Sequence, residues 1–203
     1  KNENIQSKDY SEIAVTARPG HADFTAWVKY DGFNDHRGGG HFSARLTAPI
    51  VAAGAICRQI LKDEGIIIGG HILSVGNVRE TSFDPVNVNG EQLETLSAKL
   101  FALNNPDTEE LMRKEIEEAR LDGDSVGGSV ELAAVGLPVG LGSHMFGGVE
   151  NVVSNILYGI PAVKGISFGA GFGYASMRGS EANDQMYYDE DGNVRCYTNN
   201  CGG

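Results

Sequence analysis

Three of the five histidines and three of the nine arginines fall within residues 18–47, RPGHADFTAWVKYDGFNDHRGGGHFSARLT. His21 lies in Arg18-Pro19-Gly20-His21-Ala22-Asp23, where proline and glycine set a turn and present the ring on a loop. An imidazole flanked by a guanidinium and a carboxylate is suited to proton transfer, because either neighbour can tune it. The same residues equally suit a surface histidine that only makes hydrogen bonds. Gly38-Gly39-Gly40 then runs into His41-Phe42-Ser43-Ala44-Arg45, a glycine loop leading toward a helix. Such a turn exposes backbone N–H groups at a positive helix end, where phosphate binds, and Arg37 and Arg45 would add charge-assisted hydrogen bonds. A flexible connector is the other use of three glycines. No Gly-Lys-Ser/Thr follows, so this is not a Walker loop.

The elements around this stretch must hold it in place. Residues 1–12 read as polar and poorly ordered, and 13–17 (IAVTA) as a short strand leading in. The pattern predicts a helix within 43–64, with Ile50, Val51, Ala53, Ile56, Ile60 and Leu61 at helical spacing and Gly65 as its C-terminal cap. Pro49 allows two starts: near Thr47 with the proline in the first turn, or at Ser43 with a bend. Ala52-Ala53-Gly54-Ala55 is small on every side, which predicts a buried helix and makes Cys57 a core residue. Residues 66–78, rich in β-branched types with glycine interruptions, read as a strand with a bulge, and His71 within them as a structural histidine. Leu93, Leu96, Leu100 and Leu103 mark a second helix. A third follows Pro106, capped by Asp107 or Thr108, with Glu110/Lys114 among its i,i+4 pairs and a solvated charged face over 107–120. Further strands are expected over 124–137 and 162–168, the latter placing Lys164 at a solvated edge, with a helix at 149–158 between them. A hairpin over QMYYDEDGNVRCYT turns through Asp191-Gly192. Strands and helices mix without a βαβ rhythm, so the fold class is α+β with mixed or antiparallel sheets, in one domain over 1–203.

Composition narrows the partners. The net charge of −11 disfavours nucleic acid and anionic membrane surfaces, which would repel the chain at long range. It leaves room for an anionic small molecule in a locally basic pocket. No run approaches the roughly 20 apolar residues of a membrane span. Three cysteines without paired spacing and no Asn-x-Ser/Thr sequon fit a cytoplasmic location. His21, His36 and His41, with Asp23 and Asp35, offer a metal-dependent hydrolase as an alternative, although their spacings match no structural zinc pattern. Gly169-Ala170-Gly171-Phe172-Gly173 lacks the third dinucleotide-binding glycine and reads as a bend. Asp189-Glu190-Asp191-Gly192-Asn193 lacks the calcium-loop spacing.

The two motifs of 18–47 together resemble chorismate synthase. The elements that carry the resemblance are Arg18–Asp23, Lys29-Tyr30, Arg37–Gly40, Ser43–Arg45 and Thr47-Ala48. They continue in the family's order through VAAGAI (51–56), GDSVGG (123–128), LPVGLGS (137–143), PAVKGISFG (161–169), GSEAND (179–184) and TNNCGG (198–203). The resemblance implies a β-α-β sandwich with helices packed between sheets, assembled as a homotetramer. It implies a lyase that converts 5-enolpyruvylshikimate 3-phosphate to chorismate by 1,4-anti elimination of phosphate. Reduced FMN is its cofactor, with NADPH associated with the family. By motif position His21 is similar to the proton donor to reduced flavin. Arg18, Ser43 and Arg45 are similar to substrate contacts, and His41, Phe42, Ser43, Asn200 and Cys201 fall where the family binds FMN. His41-Phe42 replaces the commoner Arg-Ser, so flavin contacts there are expected from backbone or stacking. Leu46 stands before Thr47-Ala48 where an acid is commoner. The family's N-terminal segment, with another catalytic histidine and phosphate-binding arginines, and its C-terminal part are expected to lie outside these residues. On that reading the 203-residue chain carries half an active site and does not turn over, or is a non-catalytic anion-binding remnant.

Overall fold

A computed structural model describes residues 15–203. Residues 13 and 14 of the strand expected over 13–17 therefore lie outside the described residues, as does the tail 1–12; the rest is not a strand, Val15 and Thr16 forming a turn and a bend. The chain divides into two compact units, Lys1–Ala55 with Val153–Lys164, and Ile56–Val152 with Gly165–Gly203.

The first unit carries a helix that residue spacing did not announce, α1 (Asp23–Lys29), whose first turn contains Asp23 and which buries Ala26. A 3-10 turn follows over Arg37–Phe42, and a second over Ala44–Leu46. Helix α2 (Thr47–Asp63) begins at the later of the two possible starts, with Pro49 in its first turn, where a missing N–H costs no helical bond. It ends as expected: Gly65, at φ +79°, lets the Ile66 N–H reach the Leu61 carbonyl at 2.8 Å and its own N–H reach Lys62 at 3.0 Å. The burial expected of this helix is not observed. None of its 17 residues is buried, and Cys57 is exposed. Periodicity tells which residues share a face; it does not supply the surface that covers them. With the preceding turn, the helical run Ala44–Asp63 is also long and apolar enough to cross a membrane by length and composition, correcting the expectation that no run approaches a span. The core helix of a soluble protein passes the same test.

The second unit is built on an antiparallel sheet of order β2-β1-β3, from β1 (Ile67–Val75), β2 (Val78–Arg79) and β3 (Gly128–Val135). The expected bulge is present, as a register shift between Ile72 and Ser74 against β3. The turn Gly76-Asn77 then reverses the chain so that Val75 pairs with Val78, a hairpin within the predicted single strand. Helix α3 (Gly90–Ser97) lies on β1 through Leu93 and Leu96, which form a core with Phe83. Gly69 permits that approach, since a Cβ there would stand 2.8 Å from the Leu93 carbonyl oxygen. Of the four leucines read as one helix, only Leu93 and Leu96 are helical. Leu100 is exposed, and Leu103 is buried from a loop beside Val75 and Met112.

The Asn89 side chain accepts the Gln92 N–H at 2.9 Å and so caps α3. Replacing Asn89 with alanine should cost about 1 kcal/mol of stability, read as a fall in the urea midpoint without change in slope. Helix α4 (Glu109–Leu121) starts differently from the expectation. Asn105 caps the 3-10 turn Pro106–Thr108 ahead of it, and Thr108, one of the two expected caps, stands at the N-cap of α4 without a side-chain capping bond. Its ion pairs are Glu109–Arg113, Lys114–Glu118 and Glu117–Arg120, all on an exposed face, in place of the expected Glu110/Lys114.

Helix α5 (Val149–Leu157) falls where it was expected. The strand predicted over 162–168 does not form; Ala162 adopts φ +70°, a left-handed value that interrupts extended pairing, and the segment beyond it is irregular. A short helix α6 (Gly179–Ala182) precedes the hairpin of β4 (Met186–Tyr188) and β5 (Val194–Cys196). Its loop spans 189–193 and is built around Asp189, whose carboxylate accepts the Asp191 and Asn193 N–H groups. Helices with antiparallel sheets make the fold α+β, as expected.

His71 is buried, as its place in an apolar strand suggested, and its ring lies between two carboxylates. Nε2 is 2.8 Å from Glu131 Oε2 and Nδ1 is 3.4 Å from Glu80 Oε2. Glu131 also accepts the Phe83 N–H at 2.8 Å, and Glu80 accepts the Asn105 N–H at 2.5 Å. The Phe83 ring meets the imidazole edge-on at 4.6 Å. These bonds join the sheet to the loops on either side of α3.

Candidate active site

In the first unit, the turn at Pro19-Gly20 folds residues 18–23 around one carboxylate. Asp23 accepts from Arg18 Nε at 2.8 Å and Arg18 Nη2 at 2.9 Å, and from the Arg18 backbone N–H at 3.0 Å. Its Oδ1 also lies 2.7 Å from His21 Nδ1. The Arg18 guanidinium beside it holds the Asp23 carboxyl well below the usual carboxylate range. An ionised carboxylate on Nδ1 fixes the ring and favours the tautomer that carries the proton there. Arg18 Nη2 stands 3.1 Å from Nδ1 and 3.2 Å from Nε2, so the guanidinium also bears on the ring. Position in the chain explains the arrangement: Asp23 opens α1, where the helix end favours negative charge.

The glycine run closes on the same ring. Gly39 and Gly40 have φ of +78° and +55°, and a Cβ at Gly40 would collide with the Asp35 carbonyl oxygen. A Cβ at Gly39 would lie 3.9 Å from His21 Nε2 and 3.4 Å from Ser43 Cβ. His21, the glycine backbone and Ser43 therefore share one small region. The Ser43 hydroxyl accepts the Arg45 N–H at 3.3 Å, and the Arg45 guanidinium donates to the Gly40 carbonyl at 3.4 Å. The expectation of a glycine loop feeding directly into a helix N-terminus is corrected. Positive φ at two successive glycines breaks right-handed helix, and α2 begins only at Thr47. Arg37 is held by Asp35 through two side-chain bonds of 2.8 and 3.0 Å on an exposed surface, which lowers the Asp35 carboxyl to about 2. His41 and Phe42 end the glycine turn and are exposed. Among the described residues, no group of three or more His, Cys, Asp or Glu could hold a metal, so the geometry lends nothing to a ligand set of His21, His36 and His41.

In the second unit, Asn200 and Cys201 are held by Asp184. Its carboxylate accepts the Thr198 hydroxyl at 2.7 Å, the Asn200 N–H at 2.8 Å and the Cys201 N–H at 2.8 Å. These donors, the Cys201 N–H foremost, lower the carboxyl to about 2. The Asn200 carbonyl accepts the Ala170 N–H at 2.9 Å, and its side-chain amide donates to the Glu181 carbonyl at 3.1 Å. Cys201 Sγ stands 3.9 Å from the Tyr174 hydroxyl, a contact that pushes the phenol up.

A chorismate synthase sequence profile matches residues 1–203, the whole chain. The chain belongs to the chorismate synthase family. The chorismate synthase of Pyrococcus abyssi is 46% identical over 207 residues, and that of Thermococcus gammatolerans 44% over 207; each match covers all of this chain, but 55% and 54% of the relative. The chorismate synthase of Lancefieldella parvula is 40% identical over 212 residues, covering 56% of its length. A crystal structure of chorismate synthase superposes with a TM-score of 0.79 at 30% identity, over 89% of this chain and 56% of that one. The chain thus spans about half the length of the curated relatives it matches.

Among the family-motif residues, the fold brings His21, Arg18, Ser43 and Arg45 into one neighbourhood, and sets Asn200 and Cys201 together in the other unit. Residue spacing named Asp23 only as a neighbour able to tune His21, and missed Asp184. Asp23 was visible two residues after His21 but gave no sign that it would grip Arg18 and the ring at once. Asp184, in GSEAND, lies 16 residues before Asn200 and carries no local signal of the segment it holds.

Proposed function

We propose that these residues are part of a chorismate synthase that eliminates phosphate from 5-enolpyruvylshikimate 3-phosphate with reduced FMN. The observation that carries this reading is the convergence of His21 Nε2, the Gly39 backbone and Ser43 at the motif positions of the family. A glycine backbone without side chains beside His21 and Ser43 leaves room for a planar or phosphorylated ligand, and the donors nearby suit an anion. Bound reduced FMN would supply electron density that supports departure of an anionic leaving group. His21, steadied by Asp23, holds and moves a proton at Nε2. Arg18 and Arg45 place positive charge at the same region, and the Ser43 hydroxyl keeps a donor free while its oxygen caps Arg45. His41 and Phe42 offer exposed rings for stacking; Asn200 and Cys201, within the second unit, stand at the family's other flavin positions. The protein acts in the cytoplasm as a homotetramer.

Phosphate and chorismate release by the full-length protein, assayed anaerobically with reduced FMN, tests the reading. Stoichiometric release dependent on reduced flavin is expected, and its absence would refute it. The 203-residue chain alone should release no phosphate, because it spans about half of its relatives; release at the full-length rate would show that it holds a complete site.

A further inference from the structure

Residues 198–201 belong to no helix or strand; they are held by partners elsewhere in the second unit. Asp184, two residues beyond α6, provides three of those bonds at 2.7–2.8 Å. The arrangement is asymmetric. Oδ1 serves both Thr198 and Asn200, whereas Oδ2 serves Cys201 alone. From the opposite direction the Ala170 N–H grips the Asn200 carbonyl. Both faces of the peptide unit joining Asn200 to Cys201 are thereby specified, its carbonyl by Ala170 and its N–H by Asp184.

We propose that Asp184 is a positioning residue for FMN, acting through the Asn200-Cys201 backbone that it holds. The inference rests on the proposed flavin role of that segment. Charge matters as well as shape. In Asp184→Asn, whichever way the amide turns, its NH2 group must face a backbone or hydroxyl donor, so one acceptor becomes a clash of donors. In Asp184→Ala all three donors lose their partner. The β4–β5 loop supplies a matched control, because Asp189 also accepts two backbone N–H groups and a side-chain donor, Arg195, while organising a hairpin turn.

The test is titration of FMN into the full-length protein and its variants, beside the KM for the phosphorylated substrate. Asp184→Asn and Asp184→Ala should weaken FMN binding by about tenfold or more, as loss of a charge-assisted bond predicts, and change the substrate KM far less. Asp189→Asn should leave FMN affinity within about twofold of wild type, as expected for a carboxylate whose bonds go to Asp191, Asn193 and Arg195 rather than to residues 198–201. FMN affinity within about twofold of wild type in a folded Asp184→Asn protein would overturn the proposal. So would an equal loss in Asp189→Asn, which would mark a general effect of destabilisation. Amide exchange in the wild-type protein reads the contact without any variant: Asn200 and Cys201 should both be protected, and rapid exchange at both would overturn it. Failure of the wild-type protein to bind FMN, with both amides protected, would sink the flavin role and the proposed function together; wild-type binding that survives Asp184→Asn would sink this inference alone.

Discussion

Replacing His21 with asparagine in the full-length protein lowers turnover with reduced FMN by about 10²- to 10⁴-fold, the range for loss of a positioned acid–base group. The ring has one nitrogen 2.7 Å from an ionised carboxylate and the other 3.2 Å from the Arg18 guanidinium, so a base and a cation hold it in one place. Asparagine retains a polar side chain for Asp23 but cannot take up a proton. The loss should fall on kcat, with little change in the substrate KM, because the group acts in the chemical step. Asp23→Asn gives a companion measurement. It removes the charge that Arg18 and His21 share, so turnover should fall by roughly 10- to 100-fold, the range for partners that orient a functional histidine. A His21→Asn enzyme within threefold of wild type would remove His21 from the chemistry, whatever the fate of Asp23.

The second large effect is on stability. Glu80→Ala should destabilise the second unit by about 3–5 kcal/mol, the cost of removing one partner from a buried charged network. The Glu80 side chain is fully buried, with one oxygen toward His71 and the other on the Asn105 N–H. Alanine leaves a buried ring nitrogen and the Asn105 N–H without this acceptor, and the ring nitrogen is closed to water. Glu80→Gln keeps the shape and one acceptor, so its cost should be smaller, about 1–3 kcal/mol. Urea unfolding followed in the full-length protein distinguishes the two. A loss under about 1 kcal/mol for Glu80→Ala would mean that solvent or a shifted side chain replaces the carboxylate.

Local rules explain why some elements were legible. The cap at Gly65, the helix start at Thr47, the bulge in β1, the hairpin near Asp191-Gly192 and the class α+β each depend on interactions within a few residues or on a short repeat of apolar positions. The same dependence explains the failures. Leu93 and Leu103 are equally buried, yet one comes from a helix and the other from a loop, because burial is decided by the surface they meet. The strand expected over 162–168 has the composition of a strand but pairs with no strand among the described residues. Ala52-Ala53-Gly54-Ala55 has the small side chains of a packed helix, and lies exposed for want of a covering surface among the described residues.

By itself the sequence determined the chemistry available between residues 18 and 47: a loop histidine between cation and carboxylate, a glycine turn, and Ser43-Ala44-Arg45 behind it. These are contiguous, and side-chain type with turn-forming residues is enough to bring them within reach. Only the tertiary structure decided how that chemistry is held. Asp23 takes Arg18 and His21 together, and the turn at Gly39 sets Ser43 in the same region as the ring. Asp184 fixes Asn200 and Cys201 across a gap that no periodicity spans. The physical reason is that a carboxylate's partners are chosen by distance in space, and sequence spacing reports that distance only within a turn or a single element.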